Sequence, residues 1–482
     1  MIDLRPVGFV IGYLVVALGL AMLFPFFADW IEGREDISTF AISSIITTLS
    51  GATLILACED RRSPGLTLQQ TFLLTSSVWV ILPIFGALPF IIGAPGAGFT
   101  DAFFEAMSAL TTTGSTVFTE LEMLPAGTLL WRGLMQWMGG IGIIVVAMVF
   151  LPTLRVGGMQ IFRSEAFDTM GKILPRAAEI ARSIAVIYLV LTLACMLCYS
   201  WTGLAFFDAL VHSMTTVATG GMANTDASFG AYKGATEYVA TVFMLLASLP
   251  FVRYVQLVAG TAQPLVRDSQ VRAFFGMIAM VVVVLTIWQV WVLDRGVEVS
   301  LREALFNAAS ITTGTGYASV DYQLWGSFAV ALFFLIGLVG GCAGSTSCSV
   351  KIFRYQLLFA AMRLQIRQIQ SPSGAFSMRY EGRPVGEDVI NSVMAFFVLF
   401  FLTLAVVAVI LSLMGLEPIT AISGAATALA NVGPGLGPEI GPSGTFADLP
   451  SQAKWVLAIA MLIGRLELMS VYVLFTISFW RR

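Results

Sequence analysis

Four short runs hold the residues best placed to do chemistry in this chain: FEAMSALTTTGST, LVHSMTTVATGGM, ALFNAASITTGTG and SGAATALANVGPG. Each is a stretch of apolar and small residues that ends in hydroxyl or amide side chains and then a glycine. Aligned on that glycine, they put Gly114, Gly220, Gly314 and Gly433 in register. The residues just before it are Thr112 and Thr113, Ala218 and Thr219, Thr312 and Thr313, and Asn431 and Val432. Glycine tolerates the φ and ψ that turn carbonyls away from a helix or ladder. Rings of such carbonyls can replace the hydration shell of a dehydrated monovalent cation. The chemistry implied is cation coordination by backbone oxygen, with threonine hydroxyls as further donors. One loop alone fits a helix stop or a close helix contact at least as well. Four in register favour a shared centre.

The elements that must position these loops are helices in a bilayer. Of the 482 residues 57% are hydrophobic and 11% charged, with mean hydropathy +0.87. Soluble chains carry about 25% charged residues. Long uncharged runs fall near 7–27, 37–58, 70–93, 126–153, 181–202, 236–262, 271–293, 324–350, 386–414 and 453–479. Each is long enough to span about 30 Å of hydrocarbon as a helix. The first lacks a basic leader region and a small-residue cleavage site, so it reads as a retained helix. The four glycine-ended runs near 101–113, 205–219, 301–313 and 418–431 are too short to cross.

The order long helix, short helix, glycine loop, long helix therefore recurs, an internal repeat. The fold class expected is an all-α polytopic membrane protein of four tandem helix–pore-helix–helix repeats in pseudo-four-fold arrangement. An N-terminal helix pair (1–66) precedes repeats at 67–160, 161–265, 266–372 and 373–482. Their pore loops are 101–118, 205–224, 301–319 and 418–437. With the N-terminus in the cytoplasm, nineteen of the 26 Lys and Arg fall inside, among them Arg61, Arg62, Arg155, Arg163, Lys172, Arg176, Arg363, Arg367, Arg481 and Arg482. Six fall outside (Arg34, Arg132, Lys233, Arg295, Arg302 and Lys454), and Arg465 stays in the membrane. The positive-inside rule favours this orientation, with both termini cytoplasmic and the four loops outward.

Other chemistries find little support. The single histidine, His212, excludes a multi-histidine metal site and reads as a structural residue. Cys195 and Cys198 lie within an apolar helix with no βαβ context and read as small core residues. No strand precedes GPGLGPEIG, and no Gly-Lys-Ser/Thr occurs, so nucleotide binding is disfavoured. An enzyme would need a paired nucleophile and base or a metal cluster among the spans, and none is visible.

Two features break the pattern. GLVGGCAGSTSCS, residues 337–349, is a poor helix interior. It reads as a packing face, since Gly337 with Gly341 and Gly340 with Gly344 satisfy G-x-x-x-G, or as an unwound segment beneath the loops. The matching runs QWMGGIGIIVVAMVF and FMLLASLPFVRYVQL keep a bulkier helical pattern, which singles out repeat three. Arg465 lies about 16 Å into the last long helix, a costly place for a charge and a functional candidate by default. Glu467, two residues on, projects to another face and is not its obvious partner. The basic segments 154–182 and 351–385 suit either the lipid headgroups or a docked protein.

The loops TTTGST, ATGGM, TTGTGY and NVGPGLGP, the four-fold repeat and the extra N-terminal pair together resemble the Trk/Ktr/HKT superfamily of cation transporters, and within it the bacterial TrkH-type potassium uptake subunits. The resemblance covers essentially the whole chain. It implies potassium uptake across a bacterial inner membrane, with the glycines and their two preceding residues as the filter. Rubidium would substitute for potassium, and sodium would be taken less well. Sodium-preferring relatives often carry serine at the first of these glycines, so Gly114 favours potassium. The unlike loops imply weaker discrimination than four identical ones. A sodium-selective relative and, further off, an organic-solute carrier are the alternatives. The resemblance makes 337–349 an intramembrane gating loop, with Gly340, Gly341, Gly344, Ser345, Thr346, Ser347 and Arg465 at the gate. It also implies a homodimer and a peripheral TrkA-like ring of nucleotide-binding subunits, with no organic cofactor and no nucleic acid on this chain. Downhill flux and coupling to protons or sodium both stay open.

Overall fold

A computed structural model describes residues 2–33, 38–59, 66–146, 177–374 and 376–481. Arg34, Arg61, Arg62, Arg155, Arg163, Lys172, Arg176 and Arg482, with most of the basic segment 154–182, lie outside the described residues.

The described residues are mostly helical. Helices α1 (Arg5–Ala21) and α2 (Leu23–Glu32) form one long span, and α3 (Ser38–Cys58) returns beside it. Small residues let these backbones touch: a Cβ on Gly51 would lie 2.8 Å from the carbonyl oxygen of Gly12. Helix α4 (Leu68–Gly86) opens the first repeat through a capping box between Thr67 and Gln70 and continues as α5 (Leu88–Ile92). The short helix α6 (Phe99–Leu110) and the inner helix α7 (Ala126–Val145) follow. The second repeat has α8 (Ala177–Trp201), short α9 (Phe206–Val217), then α10 (Ala235–Ala247) and α11 (Phe251–Val258). The third has α12 (Ser269–Val292), short α13 (Val297–Thr313), α14 (Ser327–Gly337) and the surface helix α15 (Ile352–Gln370). The fourth has α16 (Glu387–Leu413), short α17 (Pro418–Ala430), α18 (Ser451–Arg465) and the small helices α19 (Met469–Leu474) and α20 (Ile477–Arg481).

The structure refines the expected ten spans. Among the described residues, six helices are long and apolar enough to cross a membrane, or seven with the bent pair α10–α11 counted as one. The six are the N-terminal pair and the first helix of each repeat. The inner helices fall short because α7 carries buried Arg132 and Gln136 and the other three break. Helices α10 and α11 meet at 90° around Pro250. Helix α14 ends at Gly337, and α18 ends at Arg465, beyond which Glu467 and Leu468 have φ of 61° and 24°. The expectation that only repeat three departs from a helix is thus corrected. Leu249-Pro250 stops the second inner helix because proline donates no amide and forces its predecessor out of the α region. What distinguishes repeat three is that its break is an extended excursion, closed by the two-residue parallel strands β1 (Val339–Gly340) and β2 (Val350–Lys351). That excursion also removes the G-x-x-x-G helix face as an explanation of 337–349.

Buried side chains form two large clusters, one drawn mainly from repeats one and four with the N-terminal pair and part of the chain after Gly337, the other mainly from repeats two and three. The glycine loops sit where the two meet.

Candidate functional site

Each short helix ends in the same turn. Thr112, Thr219, Gly314 and Asn431 donate to the carbonyls of Ala109, Thr216, Ile311 and Ala428 at 3.0, 3.0, 3.1 and 3.3 Å. The next residues, Thr113, Gly220, Thr315 and Val432, donate to Ser108, Thr215, Ser310 and Thr427 at 2.9, 2.9, 2.9 and 3.1 Å. These paired bonds are a Schellman motif, with the first donor in each pair left-handed (φ 53°, 50°, 77° and 52°). Two residues further on, a second positive φ recurs at Gly114, Gly221, Gly316 and Gly433 (89°, 75°, 81° and 88°).

This corrects the register read from the first glycines. Gly114 and Gly433 keep their place, but the equivalent residues in loops two and three are Gly221 and Gly316. Gly220 sits one position earlier and Gly314 two. The cause is that loop three uses glycine for the left-handed helix cap, where the others use threonine or asparagine. A usable signal was present: Ser108, Thr215, Ser310 and Thr427 each lie six residues before the correct glycine.

The four loops close into a ring. A Cβ built on Gly114 would lie 2.1 Å from the carbonyl oxygen of Gly220, on Gly221 1.9 Å from that of Thr315, on Gly316 2.1 Å from that of Val432, and on Gly433 2.8 Å from that of Thr113. Each glycine thus abuts the next loop's carbonyl, in the cyclic order of the repeats. No side chain fits at any of the four. The ring is stitched by Ser115, whose hydroxyl donates to Gly433 at 2.8 Å, and by Asn431, whose amide donates to the Thr113 hydroxyl at 2.9 Å. Gln136 of α7 donates to the Gly220 carbonyl at 2.6 Å, a contact with no sequence signal. Thr312 and Thr313 are buried beside it, and the Thr312 hydroxyl has no partner. Ala218 and Val432 are buried, and of the two Val432 presents its carbonyl to a ring glycine. The outer face of the ring opens into a vestibule lined by Gly114, Gly221, Gly316, Gly433, Arg132 and Asp226.

Beneath the ring lies the unwound segment 338–351. Gly340, Gly341, Gly344, Ser345, Thr346 and Ser347 are all buried in it. A backbone without helical bonds at membrane depth must find partners within the protein. It finds them at the other break: Cys342 N–H donates to Ser248 at 3.0 Å, Thr346 Oγ1 to Ala247 at 2.9 Å, and Phe251 N–H to Gly344 at 3.0 Å. Ser349 N–H takes the Ala430 carbonyl at the end of α17 at 2.8 Å, and Gln270 accepts from Ala343 at 2.9 Å. The bend between α10 and α11 and the excursion after α14 therefore satisfy each other's backbone groups.

The tip of the segment reaches the ring. The Cys348 thiol is 3.4 Å from the Thr112 hydroxyl and 2.7 Å from Arg465 Nη1. Arg465 is 4% exposed, sits 5.7 Å from the Trp79 ring, and reaches the Gly139 carbonyl at 3.4 Å. Glu467 pairs with Arg354 instead, and that guanidinium stacks 3.9 Å over Phe396. Cys348 is the contact between the unwound segment, the first loop and Arg465. Its type carries no signal of this, because only the fold of the excursion brings it there.

A family model described as "TrkH: Cation transport protein" matches residues 36–481. The chain belongs to the TrkH family. This TrkH-family chain is 45% identical over 481 residues to the Trk system potassium uptake protein TrkI of Halomonas elongata, covering 99% of the chain and 97% of the relative. It is 33% identical over 489 residues to the Trk system potassium uptake protein TrkH of Escherichia coli K12, covering 99% of both. Its fold matches the crystal structure of the potassium transporter TrkH from Vibrio parahaemolyticus with a TM-score of 0.91 and 30% identity across 100% of both chains.

Proposed function

We propose that the chain takes up potassium through a pore whose filter is the ring at Gly114, Gly221, Gly316 and Gly433. The observation that carries this is the closed order of the four glycines against their neighbours' carbonyls. Backbone oxygens packed this closely offer a dehydrated monovalent cation a substitute for its hydration shell. The negative ends of the four short helices converge on the same point, favouring positive charge there. The names of the relatives, which are potassium uptake proteins, support the choice of ion. Gly114, where sodium-preferring members of the superfamily often have serine, supports it too.

The segment 338–351 is the gate: it lies across the inner side of the ring, held by Arg465, and must move for an ion to pass. The chain sits in a bacterial inner membrane with both termini cytoplasmic, works as a homodimer, and answers to a cytoplasmic TrkA-like nucleotide-binding partner. Those assignments rest on the basic-residue bias and the family.

The test is rubidium uptake into proteoliposomes holding only this chain, with sodium as competitor, for wild type and Gly316→Ser. A serine there meets the Val432 carbonyl and a φ of 81°, so rubidium preference should collapse while protein accumulates. Unchanged preference would remove the ring from the pathway.

A further inference from the structure

Behind three of the four loops, a buried side chain on the loop's own short helix catches the backbone N–H three residues past the ring glycine. Glu105 Oε2 accepts from Val117 at 2.9 Å, Asn307 Oδ1 from Ser319 at 3.2 Å, and Ser423 Oγ from Leu436 at 2.9 Å. In the corrected register Glu105 and Asn307 occupy the same position, nine residues before the ring glycine, and Ser423 is one residue earlier. His212 fills that position in repeat two, but its Nδ1 bonds the Asp208 carbonyl and its Nε2 has no partner. Loop two is held from α7 instead: Gln136 Oε1 accepts from Met222 at 3.1 Å while its Nε2 donates to Gly220. Arg132 ties the first support to the second loop, pairing with Glu105 at 2.8 Å and donating to the Ala223 carbonyl at 2.9 Å.

Glu105, Gln136, Asn307 and Ser423 are all buried, and three unrelated side-chain types do one job. That points to the bond, not the residue, as what matters. A loop whose amide is held cannot rotate its peptide planes freely, so the ring keeps its spacing. A released loop can contract around a smaller ion.

Resting on the filter reading above, we propose that Glu105, Gln136, Asn307 and Ser423 are positioning residues that set cation selectivity from behind the ring without touching the ion. Loss of one such bond lowers rubidium-over-sodium preference about fivefold, the weight of one net hydrogen bond.

The experiment compares rubidium and sodium uptake in proteoliposomes for wild type, Gly316→Ser, Asn307→Leu, Ser423→Ala and Ser423→Thr, with membrane abundance and melting temperature measured for each. The expected result is reduced preference in Asn307→Leu and Ser423→Ala, restored in Ser423→Thr, which keeps the hydroxyl. Wild-type selectivity in folded Asn307→Leu and Ser423→Ala, with Gly316→Ser impaired, overturns this inference alone. A wild type that does not discriminate overturns the filter reading beneath it. If Asn307→Leu fails to accumulate, Ser423→Ala, which deletes one oxygen, decides.

Discussion

Arg465 holds its place with few partners: a thiol, one long carbonyl contact and an aromatic ring, with Nε unpaired. A guanidinium so sparsely bonded in a buried site is costly to the fold, and on the gate proposed above its charge repels cations beneath the ring. Arg465→Ala removes both the charge and the bond to Cys348. Hydrogen bonds to charged groups contribute roughly 1.5–3 kcal/mol, so ungated rubidium leak should rise roughly ten- to a hundredfold while uptake persists. Flux measurements on liposomes without any partner protein check this; loss of all uptake would mean the arginine supports the fold rather than the gate. The residue scale is also where the sequence register slipped. Gly314 and Gly316 are both in TTGTGY, and composition cannot tell the glycine that caps a helix from the one that meets a neighbouring carbonyl.

At the scale of elements, the unwound segment is stable because a second break faces it. The carbonyls of Ala247 and Ser248, freed by the turn at Pro250, receive the donors of Thr346 and Cys342. Thr346→Val keeps the side-chain shape but removes the hydroxyl bond to Ala247. On the gate proposed above, the segment should then leave this position more often, raising basal rubidium flux about fivefold for one net bond lost. Flux unchanged in a well-folded variant would show that the backbone bond from Thr346 alone holds the contact. The break after Gly337 was legible, because glycine, serine and threonine make a weak helix. Its partner at Pro250 was written in the sequence as well, but inside a run apolar enough to pass for one helix.

Across the whole molecule, ion pairs join neighbouring repeats outside the ring. Lys454 of α18 pairs with Asp101 of α6 at 2.7 Å, linking repeats four and one. Arg302 of α13 pairs with Glu237 of α10, linking three and two. The Glu237 side chain is 1% exposed, whereas Glu298, the second partner of Arg302, is 64% exposed. Arg302→Met strands a buried carboxylate and should cost about 3 kcal/mol, seen as a lower melting temperature in detergent. Glu298→Gln removes only a solvated pair, worth about 0.5 kcal/mol. Equal effects from the two would mean that burial at this joint does not control its strength.

Hydropathy, the four-fold recurrence of short helix and glycine, and the arginine in the last long run were all readable from the chain. Each rests on local composition: apolar length decides what can span, and glycine decides where a backbone can turn. Which glycines face which carbonyls, and that Gln136, Asn307 and Ser423 hold the loops from behind, were decided only by the tertiary structure. So were the satisfaction of one broken helix by another and the meeting of Cys348 with Arg465. Most of these bring together residues 84 or more positions apart, and even the reaches of 12 and 13 residues made by Asn307 and Ser423 depend on the path the loop takes, which no local pattern encodes.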